Sequence, residues 1–107
     1  MLIDPKKFYN EVMPQKYGSD YERSRWHADP VAEAQHWMMD GVMRRFVLPH
    51  VGSPLRVLEI GPGPGTWTKY LLKTAPDASF TLVDISETML AQAKESLNGN
   101  IVFIESD

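Results

Sequence analysis

Three glycines, two prolines and two acids in the second half of the chain have the types and spacing of a ligand site. Gly61 to Gly65 reads GPGPG, with Glu59 two positions before it and Asp84 at the end of the next apolar run. Glycine tolerates positive φ and lets a ligand approach the backbone without meeting a Cβ. An acid at the offset of Asp84 accepts hydrogen bonds from ribose hydroxyls in dinucleotide folds. These residues predict a site for an adenosine-containing ligand.

The charge around the glycines discriminates between adenosine ligands. A nicotinamide fingerprint reads G-x-G-x-x-G and aims a helix N-terminus at a pyrophosphate, whereas the spacing here is G-x-G-x-G. The Glu59 carboxylate would repel a pyrophosphate and attract a cation, and Glu105 and Asp107 extend the same anionic rim. The pattern favours a ligand with adenosine at one end and positive charge at the other. An NAD-dependent oxidoreductase is the alternative among enzymes.

Other chemistry finds little support in the sequence. The chain has no cysteine, which excludes disulfides, thiolate metal sites and cysteine nucleophiles. His27, His36 and His50 show no metal-ligand spacing, so no metal is expected. There is no G-x-S-x-G nucleophile elbow, and Trp67 and Thr68 stand where a phosphate-binding lysine would follow the glycines. No residue can be named as a catalytic base, so the catalytic residues stay unknown.

The elements that must position the site follow from the hydrophobic pattern. Three apolar runs predict strands, and two amphipathic runs between them predict helices. The strands are Leu55–Ile60, Ser79–Asp84 and Ile101–Ile104, and the helices are Thr66–Ala75 and a helix from its N-cap Ser86 through Leu97. Strands that are apolar on both faces are typical of a parallel sheet covered by helices. The order β-α-β-α-β predicts a doubly wound, Rossmann-like α/β fold with a parallel sheet.

The N-terminal half is predicted to be helical. Residues 1–30 read as short helical pieces and loop, and residues 31–48 as an amphipathic helix with Pro30 in its first turn and Pro49 ending it. Its predicted apolar face consists of Val31, Ala34, Trp37, Met38, Val42, Phe46 and Val47. The loop HVGSPL divides the chain into an N-terminal helical cap or lid, 1–54, and the first half of a cofactor domain, 55–107.

At residues 55–107 the sequence resembles a known family. VLEIGPGPGTWT resembles motif I of the class I S-adenosylmethionine-dependent methyltransferases, LVDIS with ETMLAQAK their second-strand motif, and IVFIESD the third. The resemblance implies an enzyme that transfers a methyl group from S-adenosylmethionine to an acceptor. The sulfonium and ammonium of S-adenosylmethionine agree with the charge argument made above.

The resemblance also implies which residues hold the methionine part of the cofactor. The backbone from Gly61 through Pro62 and Gly63 to Gly65 would pass beneath it. Glu59 would lie near its ammonium, directly or through water. On the adenosine side, Asp84 would hold the ribose hydroxyls. The adenine contacts would come from two apolar side chains, a carboxylate and a backbone group: Ile85, Met89, Asp107 and Ser106.

The N-terminal segment supplies further candidates for the cofactor site. Related methyltransferases of small molecules often have an N-terminal helical region that closes over the cofactor. Tyr17 and Arg23 are predicted to touch the methionine carboxylate or to form part of such a lid, with Tyr21 and Arg25 as further candidates. A solvated aromatic and basic surface is the alternative for each of them.

The length departs from the family, whose sheet usually has further strands after the third. We expect the 107-residue chain to be part of a longer protein, inactive alone or completing its sheet through another segment or chain. Without a fourth strand, Leu55–Ile60 would be an exposed apolar edge, which could pair in a homodimer. A non-catalytic nucleotide-binding or interaction module is therefore the second alternative.

Composition limits the partners. The formal net charge of −3 argues against nucleic acid, whose partners usually present a basic face. No apolar run approaches the ~20 residues of a membrane span, and a cytoplasmic location is the default. A small-molecule acceptor is favoured, while lipid, nucleic acid and protein acceptors stay open.

Overall fold

The structure is a computed structural model that describes residues 2–18, 20–52 and 55–107. Within these ranges one parallel sheet has the order β1-β2-β3. The strands are β1 (Arg56–Ile60), β2 (Ser79–Asp84) and β3 (Asn100–Glu105). The predicted strands agree within one residue at each end. The predicted β-α-β-α-β order and the Rossmann-like α/β class are confirmed.

Helices form the N-terminal half and the connections between strands. In chain order the α-helices of the described residues are α1 (Pro5–Lys7), α2 (Met13–Tyr17), α3 (Tyr21–Trp26), α4 (Pro30–Val42), α5 (Thr68–Thr74) and α6 (Glu87–Ser96). A π-helical segment, Phe8–Val12, joins α1 to α2 without a break. This agrees with the short helical pieces predicted for residues 1–30. None of the described helices is long and apolar enough to cross a membrane.

The long N-terminal helix buries a different face from the one predicted, although the helical run from Pro30 to His50 agrees with the predicted 31–48 within two residues. Helix α4 continues into a π-helical segment, Met43–Val47, and a 3₁₀ turn, Leu48–His50. The face predicted to pack is largely exposed, at Val31, Trp37, Met38, Val42 and Phe46. Ala32 and Met43 are the buried residues instead. The prediction was wrong because the inner side of α4 meets aromatic rings: His36 stacks on Trp67 with ring centroids 5.3 Å apart.

The two connecting helices begin where local hydrogen bonding allows. Helix α5 was predicted from Thr66 but starts two residues later, at Thr68, after a turn that includes Gly65 with φ +87°. Helix α6 starts after its predicted N-cap, Ser86, whose Oγ accepts a hydrogen bond from the Met89 N–H at 3.1 Å. The turns at these two helix starts lie at the carboxyl ends of β1 and β2.

The core lies on one face of the sheet. Phe80 and Leu82 of the central strand are at most 1% exposed. They pack against Leu71 of α5 and Ala93 of α6. Burial of such apolar side chains contributes roughly 1.5–3 kcal/mol for each large residue.

The opposite face of the sheet is open. Leu58 and Ile60 of β1 are 64% and 78% exposed, and Val102 and Ile104 of β3 are 55% and 42% exposed. The prediction of a sheet covered on both faces is therefore wrong for the described residues, whose helices cover one face. Strand β1 pairs with β2 alone among the described strands, so it forms an edge as predicted.

Candidate functional site

The glycine loop after β1 adopts a conformation that glycine permits. Gly61, Gly63 and Gly65 have φ of +71°, +55° and +87°, values that other residues adopt at a cost. A Cβ on Gly61 or Gly63 would meet nothing within 4 Å, whereas one on Gly65 would lie 2.7 Å from the Leu97 side chain. The first two glycines thus leave open space above the backbone, and the third is required for packing.

Asp84 ties the glycine loop to the turn after β2. Its side chain is 8% exposed, its Oδ2 accepts from the Gly63 N–H at 3.0 Å, and its Oδ1 accepts from the Ser86 N–H at 2.9 Å. An ionised carboxylate has about four acceptor positions. Two remain after these bonds, so Asp84 can fix the loop and still accept hydrogen bonds from a ligand.

A cavity of about 360 Å³ lies where the three strands end, within the usual range of ligand pockets. Its position at the carboxyl ends of a parallel sheet is the usual one for ligand sites in α/β folds. The residues predicted for the site that line it are Gly61, Gly63, Asp84, Ile85, Met89, Ser106 and Asp107. The cavity wall thus contains glycine backbone without side chains, apolar side chains, and the carboxylates of Asp84 and Asp107.

Glu59 was predicted near the ammonium of the ligand, and it does not line the cavity. It is half-buried on the covered face of β1, in register with Leu82. Its Oε2 accepts a hydrogen bond from the Thr68 hydroxyl at 2.6 Å. Burial raises the pKa of Glu59 above its ordinary value, and the bond from Thr68 opposes that rise. A cation above Glu59 would stabilise its ionised form.

Four other predicted residues do not line this cavity. Pro62 is buried and Gly65 packs on Leu97. Tyr17 lines a second cavity among the N-terminal helices, and Arg23 is exposed on α3. The structure therefore separates the residues predicted for one site into a cavity wall, loop supports and a neighbouring surface.

Two tyrosines of the N-terminal helices also line the cavity. Tyr9 was missed by the sequence analysis, and Tyr21 was weighed as a lid residue. Their ring centroids lie 6.4 Å apart, edge to face. Burial and the neighbouring Tyr9 raise the pKa of Tyr21, while Arg25 lowers it, so the phenol is protonated at neutral pH. No periodicity marks Tyr9, and only the fold brings it to the cavity that Asp84 also lines.

Polar contacts anchor the N-terminal segment above the cavity. The Asn10 Oδ1 accepts from the Ser86 hydroxyl at 2.6 Å and from the Thr88 N–H at 3.3 Å. Lys6 pairs with Glu105 at 2.6 Å, and this partner raises the pKa of the lysine. These contacts join residues that are far apart in sequence, so sequence reasoning missed them. Among the described residues, no three potential ligands cluster closely enough to hold a metal ion.

Comparison with known proteins identifies the family. Residues 57–107 match a family model described as a methyltransferase domain. Over 65 residues the chain is 43% identical to malonyl-[acyl-carrier protein] O-methyltransferase of Neorickettsia risticii, covering 61% of this chain and 26% of that protein. Over 55 residues it is 50% identical to trans-aconitate 2-methyltransferase of Rhodopseudomonas palustris, covering 51% and 21%. The chain thus spans about a quarter of the length of these curated relatives.

A solved structure shows the same fold. The DhpI-SAM-HEP complex matches with a TM-score of 0.63 at 20% identity, over 99% of this chain and 45% of that chain. Residues 57–107 thus match a methyltransferase domain, and the predicted resemblance to the class I S-adenosylmethionine-dependent methyltransferases is confirmed. The chain carries part of that fold.

Proposed function

We propose that the protein binds S-adenosylmethionine in the cavity at the strand ends and transfers its methyl group to a small-molecule acceptor. The observation that carries this proposal is the hydrogen bond from the Gly63 N–H to the Asp84 carboxylate. This bond connects the glycine loop to the carboxylate that is predicted to hold the ribose hydroxyls, and both residues line the same cavity. The methyltransferase-domain match agrees with this arrangement. One curated relative is named for a malonyl-[acyl-carrier protein] and another for trans-aconitate.

Each part of the cofactor has a matching part of the cavity in this proposal. The free acceptor positions of Asp84 take the ribose hydroxyls. Ile85 and the buried Met89 flank the adenine. The Asp107 carboxylate and the Ser106 backbone meet its exocyclic amine, as the resemblance implies. The adenosine end thus occupies the part of the cavity formed by the ends of β2 and β3.

The methionine end lies over the glycine loop. Open space above Gly61 and Gly63 admits it close to the backbone. Glu59 supplies the negative charge for its ammonium from the covered face of β1, directly or through water. Residues 1–54 act as a cap, with Tyr9 and Tyr21 covering the cavity from the opposite side.

The chemistry needs positioning more than proton transfer. When bound, S-adenosylmethionine supplies a sulfonium-bound methyl group: the acceptor atom bonds to the methyl carbon, the carbon–sulfur bond breaks, and its electron pair stays on sulfur. Holding the two reactants in line can supply much of the rate. The chain contributes by fixing the cofactor through Asp84 and the loop, and by excluding water with Tyr9 and Tyr21.

Calorimetric titration with S-adenosylhomocysteine tests the site. We expect saturable binding to the 107-residue chain, weakened about tenfold or more in Asp84→Asn, which keeps the size of the side chain but loses its charge. Asp77→Asn, in an exposed turn, is the matched control and should bind like the unmodified chain. Binding of NADH without S-adenosylhomocysteine would favour an oxidoreductase. Stable dimers without affinity for either nucleotide would favour an interaction module.

A further inference from the structure

A second cavity, of about 430 Å³, lies among the N-terminal helices and shares two residues with the first. Tyr9 and Tyr21 line both cavities. A molecule in the second cavity would therefore contact the same two rings as a molecule in the first. The two cavities are therefore neighbours that share these two rings as a common wall.

The walls of the second cavity combine an apolar lining with a polar side. The apolar and aromatic wall consists of Phe8, Tyr9, Met13, Tyr17, Tyr21, Val31 and Ala32. The polar side consists of Ser24, Arg25, Asp29 and Gln35. A ligand that matches these walls has a short apolar body and one polar end.

Arg25 determines the charge of that end. Its Nη1 donates to the Gln35 Oε1 at 2.8 Å, and its guanidinium lies 4.0 Å from the centroid of the Trp26 ring. Neither partner carries a negative charge, and within the described ranges no carboxylate forms an ion pair with Arg25. The guanidinium keeps donors for an anion, which it binds with charge-assisted hydrogen bonds.

Asp29 limits how much negative charge the bound ligand can carry. Its Oδ1 accepts from the Val31 and Ala32 N–H groups at 2.9 Å and caps α4. This second charge in the cavity wall offsets part of the field of Arg25 and disfavours a dianion such as a phosphate.

We propose that the second cavity is the acceptor site and that it binds a monocarboxylate with a short apolar body, whose carboxylate is held by Arg25. This inference rests on the proposed function, since it places the acceptor beside the cofactor cavity across Tyr9 and Tyr21. Arg25 acts here as a substrate-binding residue, and the sequence analysis had weighed it for the cofactor or a lid.

The experiment uses NMR to compare how two small molecules of similar shape bind to the isotope-labelled chain. Phenylacetate carries the carboxylate, and phenylacetamide replaces it with a neutral amide. We expect phenylacetate to shift the amide resonances of Ser24, Arg25 and Gln35 saturably, and phenylacetamide to bind at least about tenfold more weakly. In Arg25→Gln that preference should disappear, while Arg25→Lys should keep part of it. Arg45→Gln, on the exposed Met43–Val47 segment, is the control and should bind like the unmodified chain.

Three results would overturn the proposal: equal affinity for both probes, an unchanged preference for the acid in Arg25→Gln, or shifts confined to residues outside this cavity. A parallel titration with S-adenosylhomocysteine separates it from the proposed function. If the unmodified chain does not bind S-adenosylhomocysteine, the proposed function is contradicted. If it binds S-adenosylhomocysteine but does not prefer phenylacetate to phenylacetamide, only the acceptor site is contradicted.

Discussion

The Thr68 hydroxyl donates a hydrogen bond of 2.6 Å to the Glu59 carboxylate on the covered face of β1. Thr68 is fully buried, at 0% exposure, and Glu59 is half-buried. The carboxylate therefore has a fixed position although burial disfavours its charge.

Two neighbouring threonines should respond differently to the same substitution. Thr68→Val removes the donor to Glu59, and we expect it to lower the free energy of unfolding by about 1–3 kcal/mol. Thr66→Val removes a buried hydroxyl that lacks a hydrogen-bond partner among the described residues, so it should be neutral or stabilising by up to about 1 kcal/mol. Urea unfolding of both variants measures the difference. Equal losses would show that the bond to Glu59 contributes nothing.

Glu59→Gln should raise stability and weaken ligand binding. Because the pKa of Glu59 is raised above 4.5 in the folded state, the folded state binds this proton more readily than the unfolded state. The contribution of Glu59 to stability therefore increases as the pH falls through the raised pKa towards 4.5. The gain in Glu59→Gln should be largest at neutral pH and shrink towards pH 4.5, as measured by urea unfolding at several pH values.

The same variant should bind S-adenosylhomocysteine about tenfold more weakly at neutral pH, because the ammonium loses its nearby charge. In the unmodified chain, affinity should fall as the pH approaches 4.5 and Glu59 becomes protonated. Calorimetry over that range measures both effects. Affinity that does not depend on pH in this window would remove Glu59 from the ligand site.

The glycines of the loop should separate binding from folding. Gly63→Ala places a Cβ in the open space of the cavity at a backbone cost of about 1–2 kcal/mol, so the protein should fold yet lose affinity for S-adenosylhomocysteine more than about tenfold. Gly65→Ala adds a clash with Leu97 at 2.7 Å and should destabilise more. Thermal unfolding and calorimetry measure the two effects.

Gly41 provides the control for these substitutions. It lies in α4 with nothing within 4 Å of a built Cβ, and alanine favours helices by up to about 1 kcal/mol relative to glycine. Gly41→Ala should stabilise the chain without changing affinity. A Gly63→Ala variant with unchanged affinity would show that the ligand does not approach the loop.

Asn10 should control how firmly the N-terminal segment covers the cavity. Asn10→Ala removes the acceptor for the buried Ser86 hydroxyl and for the Thr88 N–H, so stability should fall by about 1–2 kcal/mol. Hydrogen exchange of the Tyr9 and Met13 amides should become about tenfold faster or more. Asn98→Ala, at an exposed position after α6, is the control. Unchanged exchange in Asn10→Ala would contradict this anchoring role.

The sequence predicted the parts of the fold that depend on local pattern. Strand β2 was predicted with its observed ends because Ser79–Asp84 is the central strand, buried on one face and flanked by clear turns. Ser86 was predicted as an N-cap from its side-chain chemistry alone. These features need only neighbouring residues, which the sequence displays directly.

Features that depend on distant residues were predicted poorly. The buried side of α4 was misassigned because its inner partner is the aromatic surface of Trp67, which no periodicity within α4 reveals. Tyr9 lines the cavity together with residues of the sheet ends, and Asn10 accepts a hydrogen bond from Ser86, 76 positions away. Their positions follow from how the helical segment packs on the sheet.

The open face of the sheet has a calorimetric consequence. Folded proteins that bury their apolar surface normally give a heat-capacity change on unfolding of about 12–15 cal/mol/K per residue. Here Leu58, Ile60, Val102 and Ile104 already contact water in the folded chain, so unfolding newly hydrates less apolar surface than usual. The stability of this chain should therefore vary less steeply with temperature, and its stability curve should be flatter than its length implies.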